Sequence, residues 1–297
     1  MGDYDKVYIV PQYSEIERGE INLTTKIFDM TLKLPIISSP MDTVSKITML
    51  KSMRIFGCLG IHHRYCDISV LESAIKYGAI AVSPSMEMGE LEKLLNLKFY
   101  KIACLDVAHG DTKRNLEFGR DLKSMDWDVI GGNICTLEAA GRHLKHGIDH
   151  IRVGVGSGSV CLTRRVTGVG RPSYLAIPEI KQEFGNDIKI IADGGIANTG
   201  DVAKAFALGA DYVMLGRMLA QTYEAENDGI YSGMASSAAL RRNGKTEFFI
   251  EGKSEIVEVN ISVYKLLAEI KDALETTCYY TGARNLKELN GNYEIEK

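Results

Sequence analysis

The 297-residue sequence has no large excess of either charge, no closely paired cysteines and no long apolar run. Thirty-five Lys and Arg stand against 39 Asp and Glu, a net of −4. A chain so balanced offers no electrostatic surface for wrapping nucleic acid. Its six cysteines (58, 66, 104, 135, 161, 278) include no CxxC pair and no regular spacing. That argues against a zinc ribbon or a disulfide framework, and most read as small buried hydrophobes of a reducing compartment. No apolar run nears the roughly 18 residues of a membrane span. The opening MGDYDKVYIV is acidic where a secretory signal is basic, and Lys6 stands where myristoylation wants Ser or Thr. The expectation is a cytoplasmic protein with neither membrane nor nucleic acid as partner.

What is present is the 45% hydrophobic, 25% charged balance of a globular chain. Eight short, β-branched apolar runs begin at Pro35, Cys58, Ala79, Tyr100, Asp128, His150, Lys189 and Tyr212. They are continuous rather than alternating, as parallel strands buried on both faces should be. Helix-period segments lie between them, such as 68–78, 173–185 and 198–209. Most steps between strand starts are 21 to 28 residues, close to one βα unit each. The expected fold is an α/β (β/α)8 barrel, with residues 1–297 forming a single catalytic domain. One step is 39 residues and leaves 156–172 as an overlong loop after the sixth strand. Barrel chemistry sits on such loops.

That loop begins GVGSGSVC (154–161). Glycine-rich backbone can present N–H groups to an anion or carbonyls to a cation, though by itself such a turn is more often only a turn. The cysteine gives it chemistry: Cys161 is the candidate nucleophile, with Arg164 and Arg165 expected to favour its thiolate. Gly194-Gly195 after strand seven and Gly216-Arg217 after strand eight fit a phosphate, while Asp193 would suit the two hydroxyls of a ribose. Alone, Asp193 reads better as an N-cap or a loop salt bridge. Asp106 and His109 end strand four, and an exposed loop His is more often a polar contact than a base. Ser39 and Met41 end strand one, placed to touch a phosphate or ribose and a base. His62-His63 ends strand two, where a metal reading lacks a third ligand of matching spacing.

With those residues in view, the chain resembles the inosine-monophosphate dehydrogenase and guanosine-monophosphate reductase family. The resemblance rests on SSPMDTV (38–44), LDVAHG (105–110), GVGSGSVCLTRRVTGVG (154–170), ADGGI (192–196), GDVAKAFALGADYVMLGRMLA (200–220), YSGMAS (231–236) and TGARNLKEL (281–289). It implies that Cys161 attacks C2 of a purine nucleoside monophosphate, with Thr163 contacting the water or ammonia. Ser39, Met41, Ser159, Asp193, Gly194, Gly195, Gly216, Arg217, Tyr231, Gly233, Met234 and Ala235 would hold the nucleotide. Asp106, Ser83, Ser85 and His109 would sit on the cofactor side, and the carbonyls of Gly156, Gly158 and Cys161 would line a potassium site. A homotetramer is implied as well.

Within the family the chain is more similar to a reductase, implying NADPH-dependent conversion of GMP or a close analogue to IMP. A dehydrogenase, taking IMP to XMP with NAD, and a non-catalytic nucleotide binder are the alternatives. No CBS insertion follows His63, and the flap at about 235–260 is short and lacks an Arg-Tyr pair. The resemblance also implies a glutamate three residues past the Met of YSGM, where this chain has Ser237. Glu247, ahead of an FFI run, is expected to take over its acid–base role, with Glu251 as the other flap carboxylate.

Overall fold

The computed structural model describes residues 3–95, 99–242, 244 and 250–296. Three short strands come first: β1 (Val7–Ile9), β2 (Thr25–Ile27) and β3 (Met30–Leu32). Then eight parallel strands alternate with helices: β4 (Ile36–Ser38), β5 (Ile61–His62), β6 (Ala79–Val82), β7 (Ile102–Leu105), β8 (Asp128–Ile134), β9 (His150–Val153), β10 (Lys189–Asp193) and β11 (Tyr212–Leu215). The intervening helices are α1 (Ile47–Phe56), α2 (Ile68–Ala74), α3 (Met88–Leu95), α4 (Lys113–Ser124), α5 (Leu137–Lys145), α6 (Thr163–Thr167), α7 (Ser173–Phe184) and α8 (Thr199–Ala207). The sheet runs β4-β11-β10-β9-β8-β7-β6-β5, and a bridge between Ile37 and Leu59 closes it. This is the (β/α)8 barrel expected from the eight runs. Because Leu59 is used in that closure, with Ser38 N donating to its carbonyl at 2.9 Å, the second strand's own ladder starts only at Ile61.

Although the runs are apolar throughout, the pleat divides them. Ile37, Ile61, Ala81, Cys104, Ile130, Ile191 and Met214 fill the barrel interior. Ile36, Ile190, Ala192 and Val213 face the helices. Each fully buried aliphatic side chain contributes about 1.5–3 kcal/mol. The β2–β3 hairpin inserts Ile27, Met30 and Leu32 into the interior cluster from below, with Phe28 against the His150 ring at 3.9 Å. Thr112, Thr136 and Asn198 cap α4, α5 and α8 through side-chain oxygens, satisfying amides the helices cannot.

Two expected boundaries shift. Helix α2 ends at Ala74, not Gly78, and 156–172 is not all loop. A bridge between Val155 and Arg171 closes its base, and α6 stands inside it. Beyond β11 lie α9 (Arg217–Ala220), β12 (Ile230–Ser232), α10 (Ser237–Arg242), β13 (Ser254–Ile256), which pairs with β12, and α11 (Val263–Thr281), which packs on α8 and α1. None of the described helices is long and apolar enough to cross a membrane.

Candidate active site

A cavity of about 660 Å³ opens at the C-terminal ends of the barrel strands, within the size range of small-molecule sites. Ser39, Met41, Ser159, Asp193, Gly194, Gly195, Gly216, Arg217, Tyr231, Gly233, Met234 and Ala235 all line it, as do Cys161, Thr163, Gly156, Gly158 and Asp106. A slightly larger cavity, about 750 Å³, lies at the other end of the strands around Pro35, Asn186 and Asp211. Its Lys181 pairs with Asp211, and among the described residues no cysteine, serine or histidine lines it.

Close backbone packing shapes the wall. Gly154 has φ +151, and a Cβ there would stand 2.0 Å from the Asp193 carbonyl. Ser157 Oγ donates to that same carbonyl at 2.8 Å, tying the loop after β9 to the end of β10. The stretch 251–253 lies antiparallel to 160–162: Leu162 N donates to Glu251 O at 2.6 Å, and Lys253 N to Val160 O at 2.9 Å. Its other edge meets the YSGM turn, where Gly233 N donates to Lys253 O at 3.0 Å.

This stitching brings three side chains into line. Cys161 Sγ lies 3.2 Å from Thr163 Oγ1, which donates to Glu251 Oε2 at 2.7 Å. A hydroxyl has one proton; with it on Glu251, the oxygen's lone pairs are left for the Cys161 S–H. Of the two flap carboxylates, the one that meets Thr163 is Glu251, and Ser237 is not beside it. Ser237 begins α10 and is exposed, whereas Glu251 on the returning strand reaches Thr163. Glu247, the expected substitute, lies outside the described residues.

The arginines also depart from expectation. Every guanidinium nitrogen of Arg164 is engaged, by Asp3 at 2.5 and 2.9 Å and by the carbonyls of Val155 and Arg171. Arg165 is exposed. Arg164 therefore braces the loop instead of facing the sulfur. Burial pushes the Cys58 and Cys104 thiols up to about 12 and those of Cys66 and Cys278 to about 11. Cys135 moves the same way for the same reason, and none of these five lines the cavity.

Asp193 accepts from Asn133 Nδ2 at 2.7 Å and stands 3.6 Å from Arg152. Burial raises its carboxyl above the usual range against the pull of both partners. Asp106 pairs with Arg64 at 2.9 Å. Arg217 is ion-paired with Glu255 at 2.7 Å, so its charge is already partnered in the cavity wall. Ser83 and Ser85 share a hydroxyl–hydroxyl bond of 2.7 Å, His109 is exposed, and none of the three lines the cavity. Sequence reasoning missed Arg152, Asn133, Arg64, Glu255 and Asp3. Arg152 alone carried a signal, being a charge inside an otherwise apolar strand run.

A family model described as the IMP dehydrogenase / GMP reductase domain matches residues 2–297. The chain belongs to this family. GMP reductase 2 of Homo sapiens is 34% identical over 318 residues, covering 97% of this chain and 91% of that protein. GMP reductase of Phytophthora infestans is 34% identical over 320 residues, with coverages of 97% and 88%. Inosine-5'-monophosphate dehydrogenase of Cryptosporidium parvum is 30% identical over 358 residues, with coverages of 96% and 89%. The resemblance seen in the motifs thus extends along the whole chain. Both branches of the IMP dehydrogenase / GMP reductase family are among its relatives.

Proposed function

We propose that the protein reduces GMP, or a close analogue, to IMP with NADPH through a covalent adduct on Cys161. The observation that carries this reading is the hydrogen-bonded line from Cys161 through Thr163 to Glu251. Sulfur must lose its proton before it attacks, and the departing amine must gain one, since an amide anion is not a feasible leaving group. One relay serves both needs. Glu251 takes the thiol proton through Thr163 as the C2–S bond forms. It then returns that proton to the amine as the C2–N bond breaks and ammonia leaves. The bound cofactor supplies hydride to C2. The C2–S bond then breaks to release the thiolate, which takes one proton from solvent to restore the thiol while ammonia takes another, and the sum is GMP + NADPH + 2 H⁺ → IMP + NADP⁺ + NH4⁺.

Asp193, oriented by Asn133, suits the ribose hydroxyls, and the backbone at Gly194, Gly195 and Gly216 suits the phosphate. Tyr231 Oη reaches Met41 Sδ at 3.7 Å, fixing a thioether that would lie against the base. Asp106, steadied by Arg64, with Ser83 and Ser85 behind it, would hold the nicotinamide side. The carbonyls of Gly156, Gly158 and Cys161 would hold potassium: they are neutral donors on one turn. That of Gly158 keeps a lone pair beyond the one accepting from Cys161 N. A homotetramer in the cytoplasm completes this reading. Hydride transfer is read directly at the nicotinamide absorbance. NADPH oxidation with GMP and ammonia release supports the reductase. NADH formation from IMP and NAD, without GMP reduction, makes it a dehydrogenase, and silence in both assays with nucleotide bound makes it a binding module.

A further inference from the structure

The sequence spacing offered His62 and His63 no third metal ligand, but the fold provides one. After β5 the chain turns before α2, and the turn carries Cys66 back beneath the histidine pair. A ligating atom from each of His62, His63 and Cys66 lies within 4.8 Å of the others, and among the described residues these form the one such group. The two imidazoles stack at 4.6 Å, and Cys66 Sγ is 3.9 Å from His62 Nδ1. His62 and His63 are 2% and 7% exposed, whereas Cys66 is only partly buried and forms the solvent side.

One feature suits ligation better than packing. His63 Nδ1 is buried without a hydrogen-bond partner, a state that costs about 1–3 kcal/mol when nothing occupies it. His62 Nδ1, the ring nitrogen 3.9 Å from Cys66 Sγ, and the Cys66 thiol both rest on the His63 carbonyl, at 2.8 and 3.6 Å, and would exchange those contacts for the metal.

We propose that His62, His63 and Cys66 bind a zinc-class divalent cation, with water as fourth ligand. Two imidazoles and one thiolate are the donor set of tetrahedral zinc. Zinc–nitrogen and zinc–sulfur lengths of about 2.0–2.3 Å place donors about 3.3–3.6 Å apart, within a small side-chain adjustment of the spacing found. Cys66 gives its proton to solvent as the S–metal bond forms, and that new negative charge, with Asp67 beside it, offsets the nearby Lys46. The turn so fixed carries Arg64, the partner of Asp106 on the cavity wall.

The test is a titration of the full chain with Co²⁺, read by the thiolate-to-cobalt charge-transfer band, with competition by Zn²⁺. One equivalent should bind to the wild type and to Cys161→Ser with the band intact. Cys66→Ser should lose the band, and His63→Gln should bind at least tenfold more weakly. Zn²⁺ should also raise the melting temperature of the wild type but not of His63→Gln. Survival of the band in Cys66→Ser, its loss in Cys161→Ser, or no stoichiometric binding would each overturn the proposal. Should Cys66→Ser fail to fold, the His63→Gln titration decides alone, unchanged affinity overturning the site.

Discussion

At the scale of single residues, the proposed chemistry reduces to who holds one proton. Cys161→Ser should lower turnover on the order of 10³-fold or more while GMP still binds, because an alkoxide is far scarcer than a thiolate at neutral pH. Retention of a tenth of the activity would remove Cys161 as nucleophile. Glu251→Gln should slow ammonia release by about 10²–10⁴-fold, the usual worth of a positioned acid–base group. Ser237→Ala, by contrast, should stay within about twofold. Rapid-quench measurement of ammonia distinguishes the two, and the reverse ranking would return the role to position 237. This is also where the sequence was least legible. Glycines, the cysteine and the threonine sit within one contiguous motif and were readable. Glu251 reads only as the second choice behind Glu247, because it is 88 positions from Thr163 and meets it only where a strand folds back. Arg164 was misread for a related reason: its partner Asp3 is 161 positions away, so adjacency to Cys161 in the chain said nothing of where its charge points.

At the scale of elements, all eight barrel strands were legible, because burial on both faces leaves an unbroken apolar run that local sequence alone displays. The small hairpins were not: β1 and β12 each gain their partner from elsewhere in the chain, and three residues of strand carry little pattern. Nor was α6, a single turn held between bridged loop ends. The loop from Gly154 to Arg171 makes its own prediction. On the proposed potassium site, activity should be several-fold higher in potassium than in lithium at matched ionic strength, because neutral carbonyl donors favour a large, weakly hydrated ion. Equal initial rates in the two salts would take the ion out of the mechanism.

At the scale of the whole molecule, stability should fall in acid. His143 is fully buried; its Nδ1 donates to Ala139 O at 2.9 Å and its Nε2 accepts from Gly132 N at 3.3 Å, so only the neutral ring fits. Burial lowers its pKa in the folded state, and those of His62 and His63 likewise, the last to about 3. The unfolded chain takes up these protons near 6.5 and the folded chain only at lower pH. The histidines' contribution to the unfolding free energy is therefore flat above that pH and declines below it, by up to about 1.4 kcal/mol per pH unit for each, until the folded-state pKa is reached. Denaturant titrations of His143→Gln between pH 7 and 5 should show a shallower decline, whatever the variant's stability at pH 7; an unchanged slope would contradict this account. The hairpin that corks the barrel from below has a consequence of another kind. A filled barrel with one end stoppered has a single doorway, so everything that enters or leaves must share it. Traffic is then one-way at any instant: a finished nucleotide still in the threshold bars the next. Inhibition by the product nucleotide should accordingly be competitive against the substrate nucleotide, and a mixed pattern in initial-rate plots would contradict a shared doorway.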